Sequence, residues 1–266
     1  MSAKQYNTIL VSKKHQITTI ILNRPKKYNA ISPVLITDMI DAIKTIGEDS
    51  DTRAVLITGA GKAFCAGGDV QEDIIPVSKM RPCEWRAYIK NFCDMIRDLN
   101  AMPKPVIAGI NGVAVGGGCD IAMSCDIRIA SDVARFGYGY IKMGIISDMG
   151  GNYMMPRLVG SGAAKLFAFT GDIIDAKEAF RIGLIDKLVA DNEFNDAVNE
   201  LVTKIASGPT AAIVLAKEAI RKSSTMDLET SLEYTTNLQS SIIDTQDVVE
   251  GYTSFLEKRK PNFQGK

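Results

Sequence analysis

The stretch KPVIAGINGVAVGGGCDIAMSCDIRIAS, residues 104–131, sets a short helix between two short strands. PVIAGING and IRIAS read as strands, each a brief apolar run bounded by turn residues. GGGCDIAMSC reads as the helix between them, opening on Gly116, Gly117 and Gly118. Glycine loses more backbone freedom on folding than any other residue, so a triplet is a costly way to begin a packed segment. The chain must need bare backbone at that point.

The same alternation extends upstream. TILVSK and ITTIILN read as paired strands joined at Lys13–His15. SPVLITDMIDAIKTIGED reads as a helix with Ser32 as its cap and Pro33 in its first turn, and RAVLITG as a buried strand. Repeated strand–strand–helix units point to the α/β class. After about residue 195 the pattern changes, and 195–206, 209–222, 227–240 and 244–258 all read as helices. Two parts are expected, a core over 1–195 and a helical region over 196–266. Patterning alone leaves open whether those helices cap their own core or cover a neighbour.

At 266 residues the chain is long enough to bury a substantial core. Lysine plus arginine equal aspartate plus glutamate at 31 each, so no long-range field points to nucleic acid or an anionic membrane. The longest apolar runs fall short of the ~20 residues that a bilayer span requires. MSAKQYNTIL lacks an apolar targeting segment, and a cytoplasmic protein is expected. The five cysteines (65, 83, 93, 119 and 125) are odd in number and form no C-x-x-C pair, which argues against a disulfide framework and a structural zinc site. Four of them are expected to fill apolar space. The single histidine, His15, is expected at a strand edge, which leaves little room for Ser-His-Asp or Cys-His chemistry.

Two glycine-rich loops carry the chemical signal. In TGAGKAFCAGGDV, 58–70, GAGKA is too short for a phosphate-binding loop and has Ala63 where Ser or Thr is needed. Residues 116–118 lack the spaced glycines of a dinucleotide fingerprint. Each loop follows a strand, and the second also opens a helix, where exposed N–H groups and the dipole attract anions. Brought together, the two loops supply convergent N–H donors of the kind that hold an enolate or tetrahedral oxyanion. Gly117 and Asp120 share a helix face, so a carboxylate stands beside that donor, suited to proton transfer at the carbon next to a carbonyl. Taken alone, these residues favour a tight turn with Asp120 as a first-turn acid on the helix dipole.

AFCAGGDV, the stretch 104–131, the F-G-x-x-x-x-x-x-G pattern at 136–144 and the closing FLEKRKPNF resemble the enoyl-CoA hydratase/isomerase (crotonase) superfamily in order and spacing. The resemblance runs from NRPKKYNAIS to the C-terminus. It implies a crotonase-like spiral of ββα units and a C-terminal helical region that drives trimerisation, commonly as a dimer of trimers. It also implies an acyl-CoA thioester whose carbonyl accepts two backbone N–H bonds, matched here to Gly68 and Gly117; loss of one such donor typically costs ~3 kcal/mol of barrier. Lys26, Lys27 and Ala66 match CoA-contacting positions. Phe255 and Lys258 match positions that approach the adenine from a neighbouring subunit.

Departures from the family pattern bear on the reaction. The first family glutamate matches Asp120, whose carboxylate is drawn back by roughly 1.5 Å, one carbon–carbon bond. The second matches Tyr140, a hydroxyl donor with an ordinary pKa of ~10. Asp148, in GIISDMGG, matches an aspartate of the dienoyl-CoA isomerase branch. The resemblance therefore implies isomerisation or hydration, with Asp120 and Asp148 exchanging protons, Tyr140 donating a hydrogen bond, and no metal or redox cofactor. Tyr138, Tyr140, Trp85 and the methionines at 143, 149, 154 and 155 are expected to line a pocket for a bulky or cyclic acyl group. Thioester hydrolysis, decarboxylation and acyl-CoA binding without catalysis are the alternatives on the same fold; dehalogenation would need a histidine near the loops.

Overall fold

The computed structural model describes residues 5–265. Residues 1–4, part of the segment on which the targeting expectation rests, lie outside that range. Strands β1 (Ile9–Lys14) and β2 (Ile17–Leu22) form an antiparallel hairpin that closes with Lys14 opposite Ile17. Its two loop residues, His15 and Gln16, have φ of 50° and 64°, the left-handed pair of a type I′ turn. The turn thus falls later than Lys13–His15: Lys13 and Lys14 continue the strand, and His15 occupies the turn and not a strand edge. Helix α1 (Pro33–Glu48) is capped as its sequence indicates, with Ser32 Oγ accepting the Leu35 amide at 3.2 Å.

The middle of the chain repeats one unit. β3 (Ala54–Gly59) and β4 (Ala63–Cys65) are followed by the single turn α2 (Ile75–Val77) and the long α3 (Pro82–Ala101). β5 (Val106–Ile110) and β6 (Val113–Val115) are followed by α4 (Gly117–Ser124). β7 (Ile127–Ser131) and β8 (Arg135–Gly137) are followed by α5 (Gly151–Thr170). β9 (Ile173–Asp175), α6 (Ala176–Arg181) and β10 (Lys187–Val189) complete the core, and α7 (Phe194–Ala206), α8 (Thr210–Ser223), α9 (Leu228–Ser240) and α10 (Gln246–Leu256) follow.

The first strand of each unit joins a six-stranded sheet ordered β1-β2-β3-β5-β7-β10, and the second joins a four-stranded sheet ordered β4-β6-β8-β9. Successive units add in parallel to both sheets, and the helix after each pair carries the chain back as a parallel connection requires. This is the expected ββα spiral. Side chains alternate along β3: Val55 and Ile57 enter the main core with α1 and α3, while Ala54 and Leu56 face Phe194, Val198 and Val202 of α7. The first C-terminal helix therefore covers the outer face of the large sheet. Cys65, Cys119 and Cys125 are buried, Cys93 is half-buried and Cys83 exposed, so three cysteines and not four fill apolar space. Among the described residues no helix is long and apolar enough to cross a membrane.

The small sheet positions the glycine loops. β4 pairs with β6 through Cys65 and Ala114, and β6 pairs with β8 through Val115 and Gly137. Because the three strands are parallel, the loops that leave their C-terminal ends emerge side by side. The first turn of α4 then sits hard against β4: a Cβ on Gly118 would lie 2.1 Å from the Cys65 carbonyl oxygen. Gly118→Ala should lower stability by about 1–3 kcal/mol through forced separation of those segments, read as a lower denaturant midpoint at unchanged slope.

Candidate active site

Two backbone amides lie in the adjacent loops at the ends of β4 and β6. Ile31 forms an isolated parallel bridge with Gly68. In that bridge the Ile31 amide donates to the Gly67 carbonyl and the Asp69 amide donates to the Ile31 carbonyl, each at 2.7 Å. The flanking residues make the bonds, so the Gly68 N–H is directed away from Ile31. Gly117 is the first residue of α4, where an N–H has no partner within the helix. The loops touch: a Cβ on Gly67 would stand 3.7 Å from the Gly117 nitrogen.

Each glycine of the triplet has its own reason. Gly116 adopts φ 52°, a conformation that side chains other than glycine rarely accept. A Cβ on Gly117 would come within 2.6 Å of Ile31 Cδ1 and 3.0 Å of Met149 Sδ, and Gly118 abuts Cys65. Arg24 secures the first loop. It lies 3.1 Å from Asp69 Oδ2, an electrostatic contact and not a directed hydrogen bond, and 2.8 Å from Glu72. Burial opposes the Asp69 charge, but the Glu72 and Gln71 amides, with Lys27 and Arg24, hold its carboxyl below the usual range.

Asp120 is fully buried on α4, and hydroxyls surround it. Tyr138 donates to Oδ1 at 3.2 Å, while Tyr140 and Ser147 donate to Oδ2 at 2.5 Å and 3.0 Å. Burial pushes its pKa from 3.8 up to about 7; the three hydroxyl bonds work against that rise, and the charge of Asp148 adds to it. Burial, followed by the Asp120 charge, lifts the Tyr140 phenol well above its ordinary 10. The Tyr140 hydroxyl also lies 3.7 Å from a Cβ placed on Gly117, so the phenol that bonds the buried acid also stands close to Gly117. α5 closes the far side with Gly151, where a Cβ would stand 2.0 Å from Asp120 Oδ1.

Asp148 is half-buried in the loop before α5. Gly150 occupies the cap position of that helix without a side-chain bond, so Asp148 is not its cap. Burial raises the Asp148 pKa, a backbone hydrogen bond works against that rise, and the Asp73 charge adds to it.

The structure brings together Gly68, Gly117, Asp120, Tyr140 and Asp148. Lys27 reaches the same loop, 3.5 Å from Gln71, and Ala66 is tied to Tyr28 by its amide at 3.0 Å. Lys26 is exposed in the turn Pro25–Lys27. Phe255 is exposed at the end of α10 with Lys258 just beyond, and among the described residues no hydrogen bond or ion pair joins either to the loops. The expected aromatic and methionine pocket separates into parts. Tyr138 is buried behind Asp120 and stacks on Phe167, Met155 belongs to the core, and Met143 is exposed. Met149 lies beside Gly117, Met154 is half-buried, and Trp85 is half-buried on α3. Arg24, Asp73, Ser147 and Gly151 escaped the sequence reading. Ser147 and Gly151 flank Asp148 closely enough for the acid to have marked them.

The sequence profile of the Enoyl-CoA hydratase/isomerase family matches residues 12–266. The chain is 39% identical over 257 residues to a short-chain-enoyl-CoA hydratase of Clostridium acetobutylicum, covering 96% of this chain and 97% of that one. It is 33% identical over 258 residues to a 1,2-epoxyphenylacetyl-CoA isomerase of Escherichia coli, covering 97% and 98%. The crystal structure of an enoyl-CoA hydratase from Bacillus anthracis matches with a TM-score of 0.92 at 36% identity, over 98% of this chain and 100% of that one. The chain belongs to the enoyl-CoA hydratase/isomerase family and is an enzyme of that kind.

The buried acid has a cost that pH exposes. Unfolded Asp120 ionises near 3.8, whereas the folded residue keeps its proton to about 7. Wild-type stability should therefore fall as pH rises between those values, by up to an amount on the order of 4 kcal/mol. Asp120→Asn carries no such charge. Its melting temperature should gain on wild type across that interval and hold the gain above it, as followed by thermal melts at several pH values.

Proposed function

We propose that the protein transfers protons on an unsaturated acyl-CoA thioester, shifting its double bond. The observation that carries this reading is the pair of amides of Gly68 and Gly117 at adjacent strand ends, with Tyr140 and Asp120 beside them. The thioester oxygen fits between the amides. Removal of a C–H proton sends the electron pair toward that oxygen, and the fixed donors stabilise the enolate without having to reorganise. Return of a proton to a different carbon restores the carbonyl and leaves the double bond displaced. Asp148 and Asp120, the latter through Tyr140, exchange these protons. The steps use an acid, a base and oxyanion donors, so no metal or redox cofactor enters them.

Hydration is the second reading, favoured by the identity to a hydratase. Isomerisation suits the side chains better, because a phenol at position 140 replaces the second carboxylate that holds the attacking water in the family pattern. Hydrolysis, decarboxylation and binding alone find no support among these relatives, which carry hydratase and isomerase names.

Lys26, Lys27 and Ala66 contact the CoA moiety in this reading, with Phe255 and Lys258 supplied by a neighbouring subunit of a homotrimer or dimer of trimers. The exposed apolar side chains of Ile220, Leu228, Tyr252, Phe255 and Leu256 on the last three helices support such an assembly. The five free cysteines fit a reducing compartment such as the cytoplasm.

Incubation with enoyl- and dienoyl-CoA esters in deuterated water, followed by mass spectrometry, separates the readings. Deuterium uptake without added water supports isomerisation, and addition of a whole water supports hydration. Asp148→Asn and Asp120→Asn should each lower kcat by about 10²–10⁴. Unchanged rates in both variants would remove these residues from the reaction.

A further inference from the structure

Three helices grip the two residues that precede Met149. The Ser147 hydroxyl donates to Asp120 Oδ2 on α4 at 3.0 Å, and the Asn152 side-chain amide on α5 donates to the Ser147 carbonyl at 2.9 Å. The Cys93 thiol on α3 donates to the Asp148 carbonyl at 3.2 Å. Ser147 is buried, and of these three bonds only its own ends on a carboxyl. It ends on the oxygen that Tyr140 also bonds, while Oδ1 has the longer bond from Tyr138 at 3.2 Å. The reaction written above gives Ser147 no part.

We propose that Ser147 is a positioning residue that ties the buried Asp120 carboxyl to the Asp148 loop, so that one hydroxyl fixes the oxygen that meets Tyr140 and the place of Asp148 relative to it. This rests on the functional reading above and adds to it what holds the two acids in register. Ser147 acts through Asp120 and not on the acyl chain. Tyr138 and Tyr140 are two residues apart, with their rings edge to face at 5.1 Å. Without Ser147 the carboxyl would be held from that one short stretch and could pivot. The Tyr140 proton that passes to Asp120 goes to Oδ2, the phenol oxygen takes the substrate C–H proton in its place, and the return step reverses both transfers.

A hydroxyl that donates to a carboxylate favours its ionised form, so loss of one such donor moves the acid toward its protonated form. Tyr138, Tyr140 and Ser147 bond the Asp120 side chain, and Asp148 adds a like charge. Cys119, beside it on α4, is held neutral by burial. α5 meets the carboxyl with Gly151, and the buried face of α3 is apolar through Phe92, Met95, Ile96 and Leu99. Among the described residues no cation is bonded to Asp120, so each hydroxyl bond weighs directly on where it titrates.

The test is kcat and KM against pH, with thermal melts over the same range, for wild type, Ser147→Ala, Ser147→Thr and Asn152→Ala, using an ester that the wild type turns over. Ser147→Ala should lower kcat by about ten- to a hundredfold with KM little changed, the size of effect that a small misplacement of a reacting group produces. In wild type the stability loss that begins at pH 3.8 ends at about 7, where Asp120 is ionised. In Ser147→Ala that loss should continue to a pH higher by about one unit, a tenfold change in proton affinity. The limb of kcat/KM set by Asp120 should move up with it. The sign is the same whether the Tyr140–Asp120 pair accepts or delivers the proton, because both directions titrate one carboxyl. Ser147→Thr keeps the hydroxyl and should leave the end of the stability loss and the limb at their wild-type pH. Asn152→Ala frees the same loop without removing a bond to a carboxyl, so it should lower kcat and leave both in place. Wild-type kcat in folded Ser147→Ala overturns the proposal, as does a stability loss there that ends at the wild-type pH. An equal shift in Asn152→Ala also overturns it, since Ser147 would then serve the loop alone. If the melts shift while the limb of kcat/KM stays, Asp120 does not titrate in the reaction: the functional reading has failed, and the catalytic role of Ser147 falls with it.

Discussion

The first turn of α4 rests against the end of β4 with no space between Gly118 and the Cys65 carbonyl for even a methyl group. That contact sets the separation of the two glycine loops, and with it the spacing of the amides of Gly68 and Gly117. Neither amide is aimed by a side chain. Both are aimed by backbone geometry, through the parallel order of β4, β6 and β8 and the bridge from Ile31. Donors fixed in this way need no reorganisation when charge develops on a bound oxygen. The buried strands of the large sheet supply the rigidity behind them, since Val55, Ile57, Val106 and Ile110 all pack in one continuous core.

Around this frame the acids are governed by desolvation. Among the described residues no cation is bonded to Asp120, only three hydroxyls, and these recover part of the solvation that burial removes. Its short side chain makes the arrangement possible, because the carboxylate stops inside the protein and leaves Tyr140 to face the amides. A surface acid on the same helix turn would stay ionised in any neutral solution. Enclosed, it titrates where a change of a single pH unit alters its charge, and the protein carries that as a standing loss of stability.

Much of the architecture could be read from local chemistry. Ser32 and Pro33 mark the start of α1, and the apolar runs of β3, β5 and β7 and the helical periods after residue 195 all lie where their patterns put them. β6 spans only three residues, too few for a pattern, and the long α3 went unread although Trp85, Tyr88, Phe92, Met95 and Leu99 recur at helical spacing. The His15–Gln16 turn was misplaced because neither residue carries the usual glycine or asparagine signal of a left-handed pair. The two glycine loops were legible since bare backbone is what glycine supplies. The shell around Asp120 was not, because Tyr138 and Ser147 come from different points of a loop whose path no periodicity records. Asp73 was hidden for another reason: in GGDVQED it is one of three acids, and such a run ordinarily belongs to solvent.

Each of the three ββα units contributes one loop to the site, from the end of β4, β6 or β8, and none holds a working fragment of it. The amide pair spans two units, and the bonds from Tyr138 and Tyr140 to Asp120 span the second and third. A folding intermediate with the large sheet formed but the last unit undocked would show most of the secondary structure and have no enclosed acid. Recovery of activity on refolding therefore reports the completed stack, later than any optical signal of helix or strand. A repeated scaffold thus carries an all-or-none function.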